Sequence, residues 1–325
     1  MRAIIVSKPG PPSVLTMSHL TLPEPAAGEI RVRVHSFGLN RADLLQRLGR
    51  YPAPLGSPQD IPGLEHAGVV DALGPDVEGI AVGDRVMGIV GGGAYAEYLV
   101  TAAAHVVPVP EGISLEYAAA IPEVFITAHD ALERLSVQSG EWVLVHAVGS
   151  GVGTAATQLI HARGASCIGT SRTESKLAQA RELGMKAGVN TANGEFAGKV
   201  LQVTQRGVDA AVDLLGGAFF PQTLECMAHR GRILLVGLSA GTKAETDLGT
   251  VLRRRLTIEG TVLRSRSDLE KAEAVAAFRD AVLPDLASGR LVAVVDRVFG
   301  FHEVVAAHEY LESNRSFGKV VVQVG

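Results

Sequence analysis

The stretch from Trp142 to Ala162 limits the fold more than any other part of the chain. A short apolar run, Trp142 to Val145, reads as a buried parallel strand. Glycines follow at once, and from Val152 to Ala162 apolar residues recur at helical spacing. Strand, glycine turn and helix, in that order, give a glycine fingerprint its meaning. Gly151-Val152-Gly153-x-x-Ala156 fits the pattern G-x-G-x-x-[GA]. Gly151 and Gly153 carry no side chain, so a pyrophosphate can come close to the backbone. The helix N-terminus, from Ser150 onward, then offers it unpaired N–H groups and a partial positive charge. A glycine turn with no ligand has the same local pattern; the flanking strand and helix favour the dinucleotide.

The same texture continues downstream. From about Glu123 helices and strands alternate. Strand-like runs fall at 143–146, 166–170, 187–190, 210–214, 233–236 and 257–262. Helical stretches such as 175–183 and 219–227 lie between them. Strands joined by helical crossovers predict a doubly wound parallel sheet. The stretch 268–286 reads as one long helix. Residues 1 to about 120 differ: they are rich in Val, Gly and Pro and alternate in places, as in Ile30–Val34. Short strands with Gly and Pro turns predict a barrel-like β domain. The tail, Val292 to Val324, reads strand, helix, strand and is expected to return to that domain. The expected class is therefore α/β plus β. Residues 1–120 and 264–325 form a discontinuous β-barrel domain, and 121–263 an inserted Rossmann domain. A length of 325 residues suits two domains.

Charge narrows the partners. The formal net charge is −4 and the pI about 6.2, so no basic surplus points to nucleic acid or anionic membrane. Arg253-Arg254-Arg255 is short and reads as a solvated face. Ala3–Val6 is strand-like from the start, without a signal-peptide pattern. No apolar run approaches the ~20 residues that span a bilayer. Cys167 and Cys226 lie far apart in the sequence, so a disulfide framework is not expected and a cytoplasmic location is.

A dinucleotide fold places an acid or a cation about 20 residues past its glycines, at the tip of the second strand. Here the strand ends in Ser171-Arg172, with Lys176 one turn into the next helix and no Asp or Glu at the tip. Ser171, Arg172 and Lys176 together suit a 2′-phosphate, which favours NADPH over NADH. Ser171-x-x-Glu174 also reads as a capping box, and such a cap involves neither Arg172 nor Lys176.

Several segments then resemble a known family. They are Gly38-Leu-Asn-Arg-Ala-Asp-Leu-Leu-Gln46, Pro62-Gly-Leu-Glu-His-Ala-Gly68, Val82-Gly-Asp-Arg-Val86, Ile121-Pro-Glu123 with Thr127, His146–Thr154, Leu263-Arg-Ser-Arg266 and the Gly318-Lys-Val-Val ending. Together they resemble the medium-chain dehydrogenase/reductases, and within them the zinc-free NADPH quinone oxidoreductases. The resemblance covers essentially the whole chain. It implies a GroES-like catalytic domain beside the Rossmann domain. Where the zinc alcohol dehydrogenases of the superfamily carry Cys, His and Cys with a nearby Glu, this chain has Asn40, Leu64 and Glu123, with Glu65 beside Leu64. Leucine cannot ligate and Asn is a poor zinc ligand, so no metal is expected. His66 reads as a hydrogen-bonded barrel histidine.

Without a Lewis acid, the expected acceptor is one that spreads the charge it receives, a quinone or a conjugated carbonyl. Its oxygen needs hydrogen-bond donors and one proton. Tyr51 and Asn40 are the candidates. Tyr51 reads equally as a surface aromatic in the turn Gly49–Pro54, and Asn40 as a buried amide holding a loop. Asp43 reads as a helix-start carboxylate. The resemblance further implies that Thr127 faces the nicotinamide, that Gly237 and Leu238 line the cofactor at the sheet's carboxyl edge, that Leu263, Arg264 and Ser265 reach its carboxamide end, and that Lys319 approaches its phosphates. Close relatives often have a tyrosine after the Asn of the third strand; this chain has Asn190-Thr191, and Thr191 keeps only a hydroxyl.

The reading is an NADPH-dependent reductase of quinones or conjugated carbonyls. Rival readings are an enoyl or enone reductase with a longer groove, a low-turnover NADPH-binding protein, and a zinc alcohol dehydrogenase. The sixth strand, Thr257–Val262, would be a sheet edge whose pairing gives a homodimer, or a tetramer built from it.

Overall fold

The computed structural model describes residues 1–325, which divide into two compact units. Met1–Ile126 and Leu263–Gly325 form the first; Thr127–Val262 form the second. The first unit thus runs through Ile126, past the change of texture near residue 120.

The first unit is built on a sheet of seven strands. In spatial order these are Val295–Gly300, Lys319–Gln323, Glu29–Leu39, Glu65–Leu73, Arg85–Ile89 and Val106–Pro108, with Tyr98–Ala102 also pairing with Glu29–Leu39. The C-terminal tail therefore does return to the first domain. Its last strand, Lys319–Gln323, pairs antiparallel with Glu29–Leu39, setting Val320 opposite Leu39 and Val321 opposite Gly38. Val320, Val321 and Val322 are all fully buried, which is why that strand is continuously apolar. Along Glu29–Val34 apolar and charged residues alternate, so Ile30, Val32 and Val34 enter the core. Phe37 stacks on Tyr95 at 4.2 Å, and Phe301 meets Phe37 edge-on.

Three local expectations change. The stretch 268–286 is two helices, Asp268–Ala281 and Leu283–Ala287, broken at Val282. Pro284 lacks an N–H and its ring would collide with the carbonyl one turn back, so the first helix cannot run through it. Ser171 does not cap the following helix, whose N-cap is Thr173; Ser171 still belongs to the strand Ser166–Ser171. His66 is fully buried on the strand Glu65–Leu73, but neither ring nitrogen has a hydrogen-bond partner.

The second unit is a six-stranded parallel sheet. Its order is Ala187–Asn190, Ser166–Ser171, Trp142–Val145, Val208–Asp213, Met227–Leu235, Thr257–Gly260. Chain order runs outward in both directions from Trp142–Val145, the doubly wound arrangement with its switch point at that strand. Leu144, Ile168, Ala211 and Ile233 fill its centre with no exposure above 1%.

The unpartnered His66 has a consequence for acid stability. Burial alone lowers it to about 3. As pH falls below the unfolded value of 6.5, the unfolded chain binds a proton that the folded chain refuses, so stability falls with pH. The loss is about 1.4 kcal/mol per pH unit in that window. His66→Leu is expected to flatten the decline of the urea midpoint between neutral and mildly acidic buffer. A slope equal to wild type would remove His66 from the account.

Candidate functional site

In the second unit, the turn after Trp142–Val145 is tightly determined. His146 is fully buried between Thr170 Oγ1 and Thr223 Oγ1, each 2.9 Å from a ring nitrogen. Ala147 takes a left-handed φ of 49°, and Val148 N–H donates to Thr170 O at 3.0 Å. The helix Gly151–Ala162 then begins with Ser150 as N-cap, its Oγ accepting from Gly153 N–H at 3.1 Å. The N–H groups of Gly151 and Val152 have no partner within the chain. Two free donors at the start of a twelve-residue helix fit a pyrophosphate. A Cβ on Gly153 would lie 2.6 Å from Ala147 O and 2.7 Å from Val148 O. Gly153 therefore serves the close packing of helix against turn.

The neighbouring strand ends complete this edge. Thr191 is buried and donates its N–H to Ser171 O at 2.8 Å, so Ser171 and Thr191 sit together. Arg172 is exposed and Lys176 half-buried. Glu174 does not complete a capping box: its carboxylate accepts from Asn190 Nδ2 at 2.8 Å. Lys199 Nζ reaches Asn190 O at 3.5 Å, a third cation at the same strand ends that the glycine-to-cation spacing does not pick out. The sequence pattern also passes over Asp213. One buried Asp213 oxygen accepts from the N–H groups of Leu215 and Gly216, and Asp213 O accepts from Val236 and Gly237. That residue shapes the loop around Gly237 and Leu238. Thr127 is half-exposed on the helix Pro122–Arg134.

The first unit contains a buried polar cluster centred on Lys319. Its ammonium donates to Leu39 O and Asn40 Oδ1, both at 2.6 Å, and pairs with Glu65 Oε1 at 2.5 Å. Glu65 is fully buried and both its oxygens are used: Oε1 also accepts from Asn40 Nδ2 at 2.9 Å, and Oε2 from Glu123 N–H at 2.9 Å. Gly38 makes room for this, since a Cβ there would lie 2.4 Å from Glu65 Oε1. Asp43 stands one turn into the helix Arg41–Arg47, and its Oδ2 accepts from Asn40 N–H at 2.7 Å. Burial raises Asp43 to about 6. Tyr95 OH donates to the same oxygen at 3.1 Å and lies 3.0 Å from His308 Nε2. Burial holds His308 neutral, near 3. With Nε2 protonated, His308 donates to Tyr95, and its Nδ1 accepts from Arg47, which also pairs with Glu312.

Tyr51 stands beside Arg264. The guanidinium lies 5.1 Å from the centre of the Tyr51 ring and donates to Tyr51 O, Gly91 O and Gln46 Oε1. The Tyr51 hydroxyl has no partner within the chain. Burial raises its pKa, so it stays a neutral donor at ordinary pH.

Four residues take roles other than those expected of them once the side chains are placed. Lys319 is buried in the polar cluster of the first unit and holds no surface for a phosphate. The side chains of Leu263 and Arg264 are buried as well, leaving Ser265 as the exposed member of that segment. Asn40 is a clamped amide: its oxygen accepts from Lys319, and its nitrogen donates to Glu65, with Gly38 O at 3.4 Å. This is the alternative reading of Asn40, and it leaves Tyr51 as the unengaged donor.

Residues 26–111 match the alcohol dehydrogenase GroES-like domain family, and residues 151–277 the zinc-binding dehydrogenase family. A quinone oxidoreductase of Pseudomonas aeruginosa is 33% identical over 318 residues, covering 96% of each chain. The chain belongs to the medium-chain dehydrogenase/reductase superfamily, in its quinone oxidoreductase branch. It is an oxidoreductase. Among solved structures, a NAD-dependent alcohol dehydrogenase is 35% identical with a TM-score of 0.90, and the Escherichia coli quinone oxidoreductase complexed with NADPH is 28% identical with a TM-score of 0.90. Each comparison covers the whole of both chains.

One of the matched family descriptions names zinc, and the donor set of this medium-chain oxidoreductase does not fit that ion. Leu64 is aliphatic, Asn40 Oδ1 and Glu65 Oε1 are bound to an ammonium, and no three His, Cys, Asp or Glu side chains converge. Removing the ammonium would leave Glu65 buried without its cation. Lys319→Met is expected to cost about 3–5 kcal/mol, measured by denaturant unfolding. Adding Glu65→Gln should recover part of that loss; a double variant no more stable than Lys319→Met would contradict the pairing.

Proposed function

We propose that the chain is a zinc-independent, NADPH-dependent reductase of quinones or conjugated carbonyls. The observation that carries this is the Lys319 ammonium, held by Glu65 and by Asn40, which the family resemblance matches to a zinc ligand, with a free neutral hydroxyl on Tyr51 in the same unit. Such a cluster offers no open Lewis acid to stabilise an alkoxide. It suits an acceptor that delocalises the incoming charge onto an oxygen.

NADPH is favoured by the strand end Ser171-Arg172, which lacks an acid, and by the NADPH bound to the Escherichia coli relative. Ser150, Gly151, Val152 and Gly153 would hold the pyrophosphate; Ser171, Arg172, Lys176 and Thr191 the 2′-phosphate; Gly237, Leu238, Thr127 and Ser265 the remainder. Bound there, NADPH would supply a hydride. Tyr51 would donate a hydrogen bond to the developing oxyanion, and Arg264 would keep the Tyr51 ring and backbone in place. The edge strand Thr257–Gly260 pairs on one side only, and we assign the homodimer contact to its other side. No helix is long and apolar enough to cross a membrane.

Steady-state oxidation of NADPH and NADH with quinones, enones and simple alcohols tests the reading. Preference for NADPH with a quinone or enone supports it; alcohol oxidation that requires stoichiometric zinc overturns it. Tyr51→Phe is expected to lower kcat by about 100-fold while NADPH affinity, read by fluorescence, stays unchanged. Arg172→Ala should raise the KM for NADPH by about tenfold and leave that for NADH unchanged.

A further inference from the structure

We propose that Glu123 is the proton donor of the reaction, giving its carboxyl proton to the anion formed on the substrate. This rests on the reductase reading and adds to it the acid that completes the reduction.

Glu65 and Glu123 are neighbouring carboxyls with very different partners. Glu65 has a cation, an amide and a backbone N–H on its oxygens and is fully buried. Those three contacts leave neither Glu65 oxygen without a partner. Glu123 contributes only its backbone N–H to that arrangement; its carboxyl makes no hydrogen bond within the chain. The two cannot both carry charge at low cost, so the less satisfied one keeps its proton. Lys319, Asp43 and Arg264 also act on Glu123, the first and last favouring its anion and Asp43 opposing it. Burial and the Glu65 charge dominate and bring Glu123 up to about 8. Glu65 is closed to solvent while Glu123 is partly exposed, so Glu123 is the member that a ligand can reach. It also lies close enough to Tyr51 for its charge to act on that phenol. Hydroxyl and carboxyl thus share one locale, one as a fixed donor and the other as a transferable proton.

The step balances simply. The reduced dinucleotide is oxidised by loss of a hydride, and the quinone or conjugated carbonyl is reduced to an anion. The O–H bond of Glu123 breaks, a bond from that proton to the substrate's oxygen or carbon forms, and water later reprotonates the carboxylate.

The test compares the full-length wild type with Glu123→Gln and Glu123→Asp, using a quinone and an enone. Glu123→Gln keeps the shape and the backbone N–H but has no acidic proton. It is expected to lower kcat by about 100-fold or more with NADPH affinity retained, while Glu123→Asp keeps part of the activity. Wild-type kcat should be flat near neutrality and fall as pH rises through about 8, and this alkaline limb should vanish in Glu123→Gln. Infrared spectroscopy of the free protein at neutral pH should show the carbonyl band of a protonated carboxyl that Glu123→Gln lacks. A Gln variant within about twofold of wild type, a retained alkaline limb, or no missing band would each overturn the proposal. A wild type that shows the band yet oxidises no NADPH with any acceptor overturns the reductase reading, and the donor role with it.

Discussion

The buried pair of Lys319 and Glu65 is the contact on which the polar interior of the first unit depends. Two charges removed from water are tolerated only when geometry is good and their remaining valences are filled. Both conditions hold: Lys319 has three oxygen acceptors, and Glu65 accepts from an amide and a backbone N–H besides the ammonium. The pair also joins segments remote in sequence. Lys319 starts the last strand, Asn40 follows the long strand Glu29–Leu39, and Glu123 lies in the first turn of the helix Pro122–Arg134. The register that places Val320 opposite Leu39 brings the ammonium to Leu39 O.

Around that pair the titratable groups sort themselves. Glu65 has a partner for each oxygen. Burial raises Asp43 against the pull of its hydrogen bonds, burial and the Glu65 charge raise Glu123, and Tyr95 and His308 are neutral links from Asp43 to Arg47. The helix Arg41–Arg47 is thereby tied at its start to Asn40 and at its end to His308 and Glu312. A rigid support of this kind is what a donor such as Tyr51 needs, since an oxyanion is stabilised only by groups already in position. Arg264 provides the same support from the other side, with three carbonyl-type acceptors and a ring to stack on.

The dinucleotide unit is largely legible in the sequence because its signals are local. Gly151, Gly153 and the helix after them sit within a few residues of the strand they follow, and the alternation of strands and helices reveals the parallel sheet. Even there Asp213 is silent, since nothing in the run Ala210-Ala-Val-Asp-Leu announces that its carboxylate will gather two N–H groups across a glycine loop. The cluster of the first unit is legible only as a set of positions. Asn40, Leu64 and Glu123 stand out as departures from a zinc site, with Glu65 beside Leu64, but that Lys319 joins Asn40 and Glu65 depends on a strand pairing between residues nearly the whole chain apart. Without that pairing, the family resemblance alone sends Lys319 to the cofactor's phosphates. Arg264 is misplaced for the same reason: its three acceptors come from the helix Arg41–Arg47 and from two loops.

An ammonium whose protons are all engaged differs from a metal ion in what chemistry it leaves to its surroundings. A metal ion can exchange a water for a substrate oxygen and polarise it directly. The Lys319 ammonium has only three protons, and Leu39 O, Asn40 Oδ1 and Glu65 Oε1 take them all. It therefore acts as a structural charge with no open position for a substrate. Stabilisation of a developing oxyanion then falls to neutral donors, and Tyr51 is the one whose hydroxyl is unengaged. A neutral donor is weaker than a metal ion, so an acceptor must carry part of the charge in its own conjugated system. For the proposed reductase, a preference for quinones or enones over simple ketones would follow from the side chain at residue 319, before any loop of the pocket is considered.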